Sequence, residues 1–194
     1  SSQSAVQALV DKTVEQHGRL DIMVNNAGII TNATLAQLEE ADLDRVIAVN
    51  LKGVLFGCKA AAAVMTRQGS GSIINLASEA IYNAVPNILA YSMTKAAVAQ
   101  LTRCLASEVG PAGVRVNAVA PGFIETPMTS RHFTSSDGTV DQEKRKVVLS
   151  EFTKGIASNH IGQPVDIAHT ILFLASDASR YTVGQIIRTG GNPA

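Results

Sequence analysis

Charged groups, aromatic rings and cysteines are all sparse in this chain, and each shortage removes a class of function. Charged residues make up only 16% of it, and its 16 basic and 16 acidic side chains cancel to a formal net charge of zero. Nor does any local cluster of lysine and arginine supply the basic surface that a nucleic acid or an acidic membrane would need. The expected partner is therefore a small molecule. Lys59 and Arg67 interrupt the most apolar helical stretch, so no membrane span is expected. The first residues do not have the pattern of a signal peptide, and the expected location is cytoplasmic. Cys58 and Cys104 fall in apolar helical stretches without Cys-x-x-Cys or Cys/His spacing, which makes both expected core thiols rather than metal ligands. His17, His132, His160 and His169 share no spacing, so neither a metal site nor a Ser/His couple is expected.

What is present is apolar residue in quantity: 46% of 194 residues, enough for one domain, residues 1–194, with a large buried core. Taken in order, Ser4 to His17 has the spacing of an amphipathic helix ending at Gly18. Leu20 to Val24 is a short buried strand, followed by the small-residue turn Asn25-Asn26-Ala27-Gly28. Asp42 to Arg67 is a long helix, apolar on more than one face, with Asn50 in its middle. A buried amide there must find partners, in a polar site, in the backbone of a helix irregularity, or in both at once. Ser72 to Ser78, Val114 to Ala120 and Tyr181 to Arg188 are further strands, and their near-continuous apolar character suits a parallel sheet covered on both faces. Helices from about Ala90 to Val109 and from Pro164 onward complete an α/β pattern. Residues 123–161 are polar and weakly periodic. They include a turn at Thr134 to Gly138 and a charged surface helix from Gln142 to Gly155, and are expected to form a substrate loop or lid.

Tyr91 and Lys95 stand four residues apart near the start of one of these helices, so they share a face. An ammonium beside a phenol favours the phenolate, and this is expected to lower the tyrosine pKa and make Tyr91 a general acid/base. Ser78 ends a strand, on the side of a parallel sheet where ligands bind, and can meet the start of the Tyr91 helix.

Taken together, Asn25-Asn26-Ala27-Gly28, Asn50, Ser78, Tyr91-x-x-x-Lys95 and Pro121-Gly122 resemble, in order and spacing, the short-chain dehydrogenase/reductase family. The stretch from Val116 to Thr126 is most similar to 3-oxoacyl-[acyl-carrier-protein] reductases. The resemblance implies a Rossmann-like doubly wound parallel sheet in three layers and a carbonyl/secondary alcohol oxidoreductase using NAD or NADP. It implies that Ser78 holds the substrate oxygen, that Tyr91 exchanges its proton, and that Lys95 tunes Tyr91 and binds the nicotinamide ribose. Asn50 would hold a relay water. Asn25, Asn26, Ala27 and Gly28 would line the adenosine side, Pro121, Gly122, Ile124 and Thr126 would flank the nicotinamide, and a homodimer or homotetramer is implied. The family's first strands and their Gly-rich pyrophosphate turn are not in this sequence. Hence about 60 further residues are expected in a longer chain, and Leu20 to Asn25 is expected at an unpaired sheet edge. The alternative is a truncated, non-catalytic relative kept for binding or assembly, which leaves the joint presence of Asn50, Ser78, Tyr91 and Lys95 without a reason.

Overall fold

Four parallel strands form the centre of the molecule, side by side in chain order: β1 (Ile22–Asn25), β2 (Gly71–Leu76), β3 (Val114–Pro121) and β4 (Ile186–Thr189). The computed structural model describes residues 2–135, 137–154 and 156–191. Parallel pairing demands long crossovers, and here helices supply them. α1 (Gln3–His17) precedes β1, while α2 (Glu40–Ile47) and α3 (Gly53–Gln68) join β1 to β2. α4 (Leu89–Val109) joins β2 to β3, and α5 (Pro127–Ser130), α6 (Gln142–Lys154) and α7 (Pro164–Ala175) lie between β3 and β4.

Side chains on successive strand residues point to opposite faces, which divides the core in two. Ile73, Val114 and Val116 pack with Val54, Cys58, Val98 and Val10, on the side covered by α3, α4 and α1. Ile74, Leu76 and Val119 pack with Ile167 and Leu174 of α7 on the other side. The molecule is thus a three-layer α/β/α sandwich. β1 forms one edge of the sheet. Its Ile22 and Val24, in register with Ser72 and Ile74, are 45% and 37% exposed. Among the described residues the α7-side face of this strand has no cover.

The helix expected from Asp42 to Arg67 runs from Glu40 to Gln68 and is interrupted by a π-helical turn at Ala48–Lys52. By length and composition this path of 29 residues is apolar enough to cross a membrane, which the sequence reading, stopped by Lys59 and Arg67, did not anticipate. In the fold its Val54, Cys58, Ala61 and Met65 are buried in the core beside the sheet, so it serves as a core helix. Two further corrections concern local detail. Cys104 is exposed rather than buried, because its position on α4 turns it away from the sheet. The final strand begins at Ile186 instead of Tyr181: the Asn117 side chain takes up the Thr182 carbonyl (2.8 Å) and the Gln185 N–H (2.9 Å), diverting the bonds a regular ladder would use. Between β3 and α7, α6 has no buried residue and is the surface helix expected there. Residues Ser136 and Gly155 of the expected turn and helix lie outside the described residues.

Candidate active site

Ser78, Tyr91 and Lys95 meet at the carboxyl ends of the strands. Ser78 stands two residues beyond β2 and caps a short 3-10 turn, Glu79–Ile81, accepting the Ala80 N–H on Oγ at 3.2 Å. With that lone pair engaged, the hydroxyl proton remains available to an acceptor outside the turn. The chain then returns through Asn87, whose positive φ of 67° and carbonyl bond from the Ala33 N–H (2.8 Å) fix the entry into α4. Tyr91 sits in the first turn of α4, next to Ser78, whose hydrogen bonding favours the charged form of the phenol.

Lys95 lies one turn further along and is 4% exposed. Its Nζ donates to the Leu76 carbonyl at 2.6 Å and lies 5.6 Å from the centre of the Tyr91 ring. Burial pulls its pKa down from 10.5 to about 8, since a desolvated ammonium gives up its proton more readily. The expectation for Tyr91 is corrected here. Its pKa is raised, because burial outweighs the opposing influences of Ser78 and of a cation, and that cation is Arg131 rather than Lys95. Arg131 follows α5 in the polar segment after β3, and no motif in the sequence marked it.

Asn50 is fully buried in the π-helical turn. Its Oδ1 accepts the Ile29 N–H (2.8 Å), and its Nδ2 donates to the Ile29 carbonyl (2.9 Å) and to Thr94 Oγ1 (3.2 Å). The irregular turn therefore clamps the chain just after Gly28, and Thr94, which itself donates to the Tyr91 carbonyl (2.7 Å), ties that clamp to α4. Thr94 is a second residue that sequence reasoning missed, although it lies within the Tyr91 to Lys95 stretch. A Cβ on Gly28 would sit 3.5 Å from Lys95 Nζ and 3.6 Å from Asn50 Oδ1. Gly28 thus stands directly against the buried ammonium, and a cleft of about 320 Å³ opens beside it, lined by Gly28, Ile29, Ile30, Thr31, Arg45 and Met128. A lysine donor held just behind a small-residue turn at the sheet's carboxyl edge suits the hydroxyls of a nicotinamide ribose, so the residues present fit that half of a dinucleotide.

The remaining expected site residues divide. Asn26 and Ala27 are exposed on the turn. Asn25 instead points beneath it: its Nδ2 donates to Asn75 Oδ1 (2.8 Å), and Asn75 donates to Thr102 Oγ1 (3.0 Å), a buried chain joining β1, β2 and α4. This chain needs Gly57, where a Cβ would fall 2.0 Å from Asn25 Oδ1. Pro121 ends β3, and Gly122 donates its N–H to the Thr189 carbonyl (3.1 Å). Gly122 and Gly190 leave a niche for the Glu79 carboxylate, since a Cβ on Gly190 would lie 2.0 Å from Glu79 Oε1. Arg188 faces the same carboxylate at 3.5 Å, and so the residue after Ser78 is held in place. Ile124 is buried and bridges to Gly162. Thr126 starts α5, its N–H bonded to Thr129 Oγ1 (2.9 Å). A larger cavity of about 580 Å³ lies among Glu125, Pro127, Ser130, Phe133 and Arg145. It contains the Arg145–Glu125 pair; the tetrad of Asn50, Ser78, Tyr91 and Lys95 is in the lining of neither cavity, and the smaller cleft adjoins it through Gly28 and Ile29.

A parallel α/β sheet whose carboxyl edge brings a serine, a tyrosine and a buried lysine together next to a cleft has the arrangement of a nucleotide-dependent oxidoreductase. A family model described as enoyl-(acyl carrier protein) reductase matches residues 1–191. The chain is 40% identical over 186 residues to 3-oxoacyl-[acyl-carrier-protein] reductase FabG of Thermotoga maritima, covering 96% of this chain and 71% of that protein. Among solved structures, levodione reductase superposes with a TM-score of 0.90 at 34% identity, over 98% of this chain and 72% of that one. A gluconate 5-dehydrogenase from Burkholderia cenocepacia, in complex with NADP and tartrate, gives 0.88 at 31% identity, over 98% and 71%. The chain belongs to the short-chain dehydrogenase/reductase family, and is an NAD(P)-dependent oxidoreductase that interconverts carbonyl and alcohol groups.

Proposed function

We propose that Ser78, Tyr91 and Lys95 carry that reaction, with Asn50 as their support. In reduction, the Ser78 hydroxyl donates to the substrate carbonyl oxygen and polarises it. The carbonyl carbon receives the hydride that the nicotinamide supplies when bound, and the oxygen takes the Tyr91 proton. In oxidation the same groups run in reverse. The Lys95 ammonium, anchored on the Leu76 carbonyl, binds the ribose hydroxyls and passes a proton back toward Tyr91. Its pKa of about 8 lets it do so near neutrality. The Asn50 side chain is spent on Ile29 and Thr94, so its contribution to a relay water is to fix the walls around it. Asn26, Ala27 and Gly28 line the adenosine side with Asn25 bracing them from below. Pro121, Gly122, Ile124 and Thr126 flank the nicotinamide.

Residues 123–161 act as the substrate loop or lid, with Phe123 and Phe152 of this segment stacked at 3.9 Å. Likeness to the Thermotoga reductase favours a 3-oxoacyl-type substrate, a ketone β to a carboxyl-derived group, in a cytoplasmic enzyme of two or four chains. The observation that carries the proposal is a buried lysine beside a tyrosine, with no carboxylate paired to it among the described residues. Titration with NADH and with NADPH, followed by nicotinamide fluorescence, tests it alongside consumption of the bound cofactor on adding a 3-oxo ester. Saturable binding of one cofactor with turnover supports the assignment, and binding without turnover of any ketone refutes it.

A further inference from the structure

The segment after β3 brings a cation to the reacting centre, and the tetrad gives that cation no work. Arg131 follows directly on α5, which is pinned at both ends. Thr129 Oγ1 donates to the Ile124 carbonyl (2.7 Å) and Thr134 Oγ1 to the Ser130 carbonyl (2.8 Å), while Phe133 is buried at 3% exposure. The guanidinium is therefore delivered by a fixed turn. One arm, Nη1, donates to the carbonyl of Met128, a residue that lines the ligand cleft. Its Nε is buried and has no hydrogen-bond partner among the described residues.

Among the described residues Arg131 has no ion pair, and the carboxylates of Glu125, on its own segment, and of Glu79, beside Ser78, are already committed. Glu125 accepts from Arg145 Nε at 2.7 Å, and Glu79 faces Arg188 at 3.5 Å. The charge of Arg131 acts on the Tyr91 phenol and the phenol acts back on it, so the two groups share one electrostatic environment. On the same segment Phe123, His132 and Phe152 gather their rings within 6.3 Å of one another. A guanidinium whose buried Nε lacks an acceptor, held by a carbonyl of the cleft wall, is completed by an anionic ligand.

We infer that Arg131 is a specificity-determining residue that binds the free carboxylate of an oxo acid or hydroxy acid, so that the substrate is a small carboxylic acid rather than its thioester or ester. The fork geometry of arginine matches a carboxylate, and an uncharged acyl group offers a much weaker acceptor. The inference rests on the oxidoreductase assignment above and narrows its substrate.

The test compares acetoacetate with ethyl acetoacetate, the same 3-oxo skeleton with and without the charge, using whichever of NADH and NADPH the protein binds. The wild type should favour the acid in kcat/KM. Arg131→Met should lower kcat/KM for the acid about tenfold to a hundredfold more than for the ester, as expected when a hydrogen bond to a charged group is lost. Arg131→Lys should restore part of the difference. The ratio of the two substrates cancels any loss of folded protein common to both. An ester reduced as well as the acid by the wild type, or an Arg131→Met variant in which both fall by the same factor, overturns the inference and leaves the oxidoreductase assignment intact. Failure of the wild type to reduce either compound overturns the inference together with the 3-oxoacyl reading of the substrate.

Discussion

Burial of Lys95 makes the stability of this protein depend on pH in a direction that can be worked out in advance. Folding takes its ammonium out of water and lowers its pKa from 10.5 to about 8. Between those values the unfolded chain still holds the proton that the folded chain has released. The unfolded state then binds more protons, so stability rises with pH. Below about pH 8 both states are protonated and the full burial cost applies. The whole interval corresponds to about 3 kcal/mol, of which about 2 kcal/mol is gained by pH 9.5. Cys58 works against this gain: burial pushes its thiol from 9.0 up to about 11, so its folded state keeps a proton that the unfolded state loses, and stability falls across that range. A single pH series mixes the two. Comparing wild type with Lys95→Met removes the cysteine contribution, which both share. Urea unfolding at pH 7 and pH 9.5 should show the wild type gaining about 2 kcal/mol relative to Lys95→Met. Identical pH dependence in the two proteins would refute the claim that the ammonium is desolvated in the fold.

Two further predictions concern packing and assembly. Gly113 has φ of 80°, and a Cβ there would lie 2.3 Å from the Gly69 carbonyl oxygen. Gly113→Ala should therefore cost about 3 kcal/mol of stability in chemical denaturation, from left-handed strain together with a backbone clash, and an unchanged midpoint would contradict the described turn. α3 and α4 leave Leu55, Leu89 and Met93 exposed at 44%, 44% and 55%, which favours pairing of these helices between copies of the chain. Light scattering after size exclusion should give the mass of two or four chains, and a monomer would remove that proposal.

The parts of the fold that depend on local pattern were legible in the sequence. The parallel strands β1 to β3, the helices around them and the meeting of Ser78 with Tyr91 follow from apolar runs, turn residues and helical spacing. At Asn50 the satisfied amide at a helix irregularity, which its burial allowed, is present, and it is compatible with a place in the site. What was not legible depends on tertiary path. Arg131 sits in a polar segment whose course is set by Phe133 and by threonine bonds to distant carbonyls, so its arrival beside Tyr91 leaves no periodic trace. The niche for Glu79 requires Gly122 and Gly190 from two other strand ends. The sign of the Tyr91 shift was misjudged for a related reason: i,i+4 spacing places Lys95 on the same face as Tyr91 but does not say how deeply the phenol is buried, and that burial is the larger effect.

The central claim, that Tyr91 moves the proton between protein and substrate oxygen, is tested most directly by Tyr91→Phe. The substitution removes one hydroxyl and leaves the ring that packs beside Lys95. Turnover in single-turnover kinetics should fall by at least about a hundredfold, the scale of positioned acid/base catalysis, while nicotinamide fluorescence shows cofactor affinity within about threefold of wild type. Turnover near the wild-type rate, with the cofactor bound, would contradict the account.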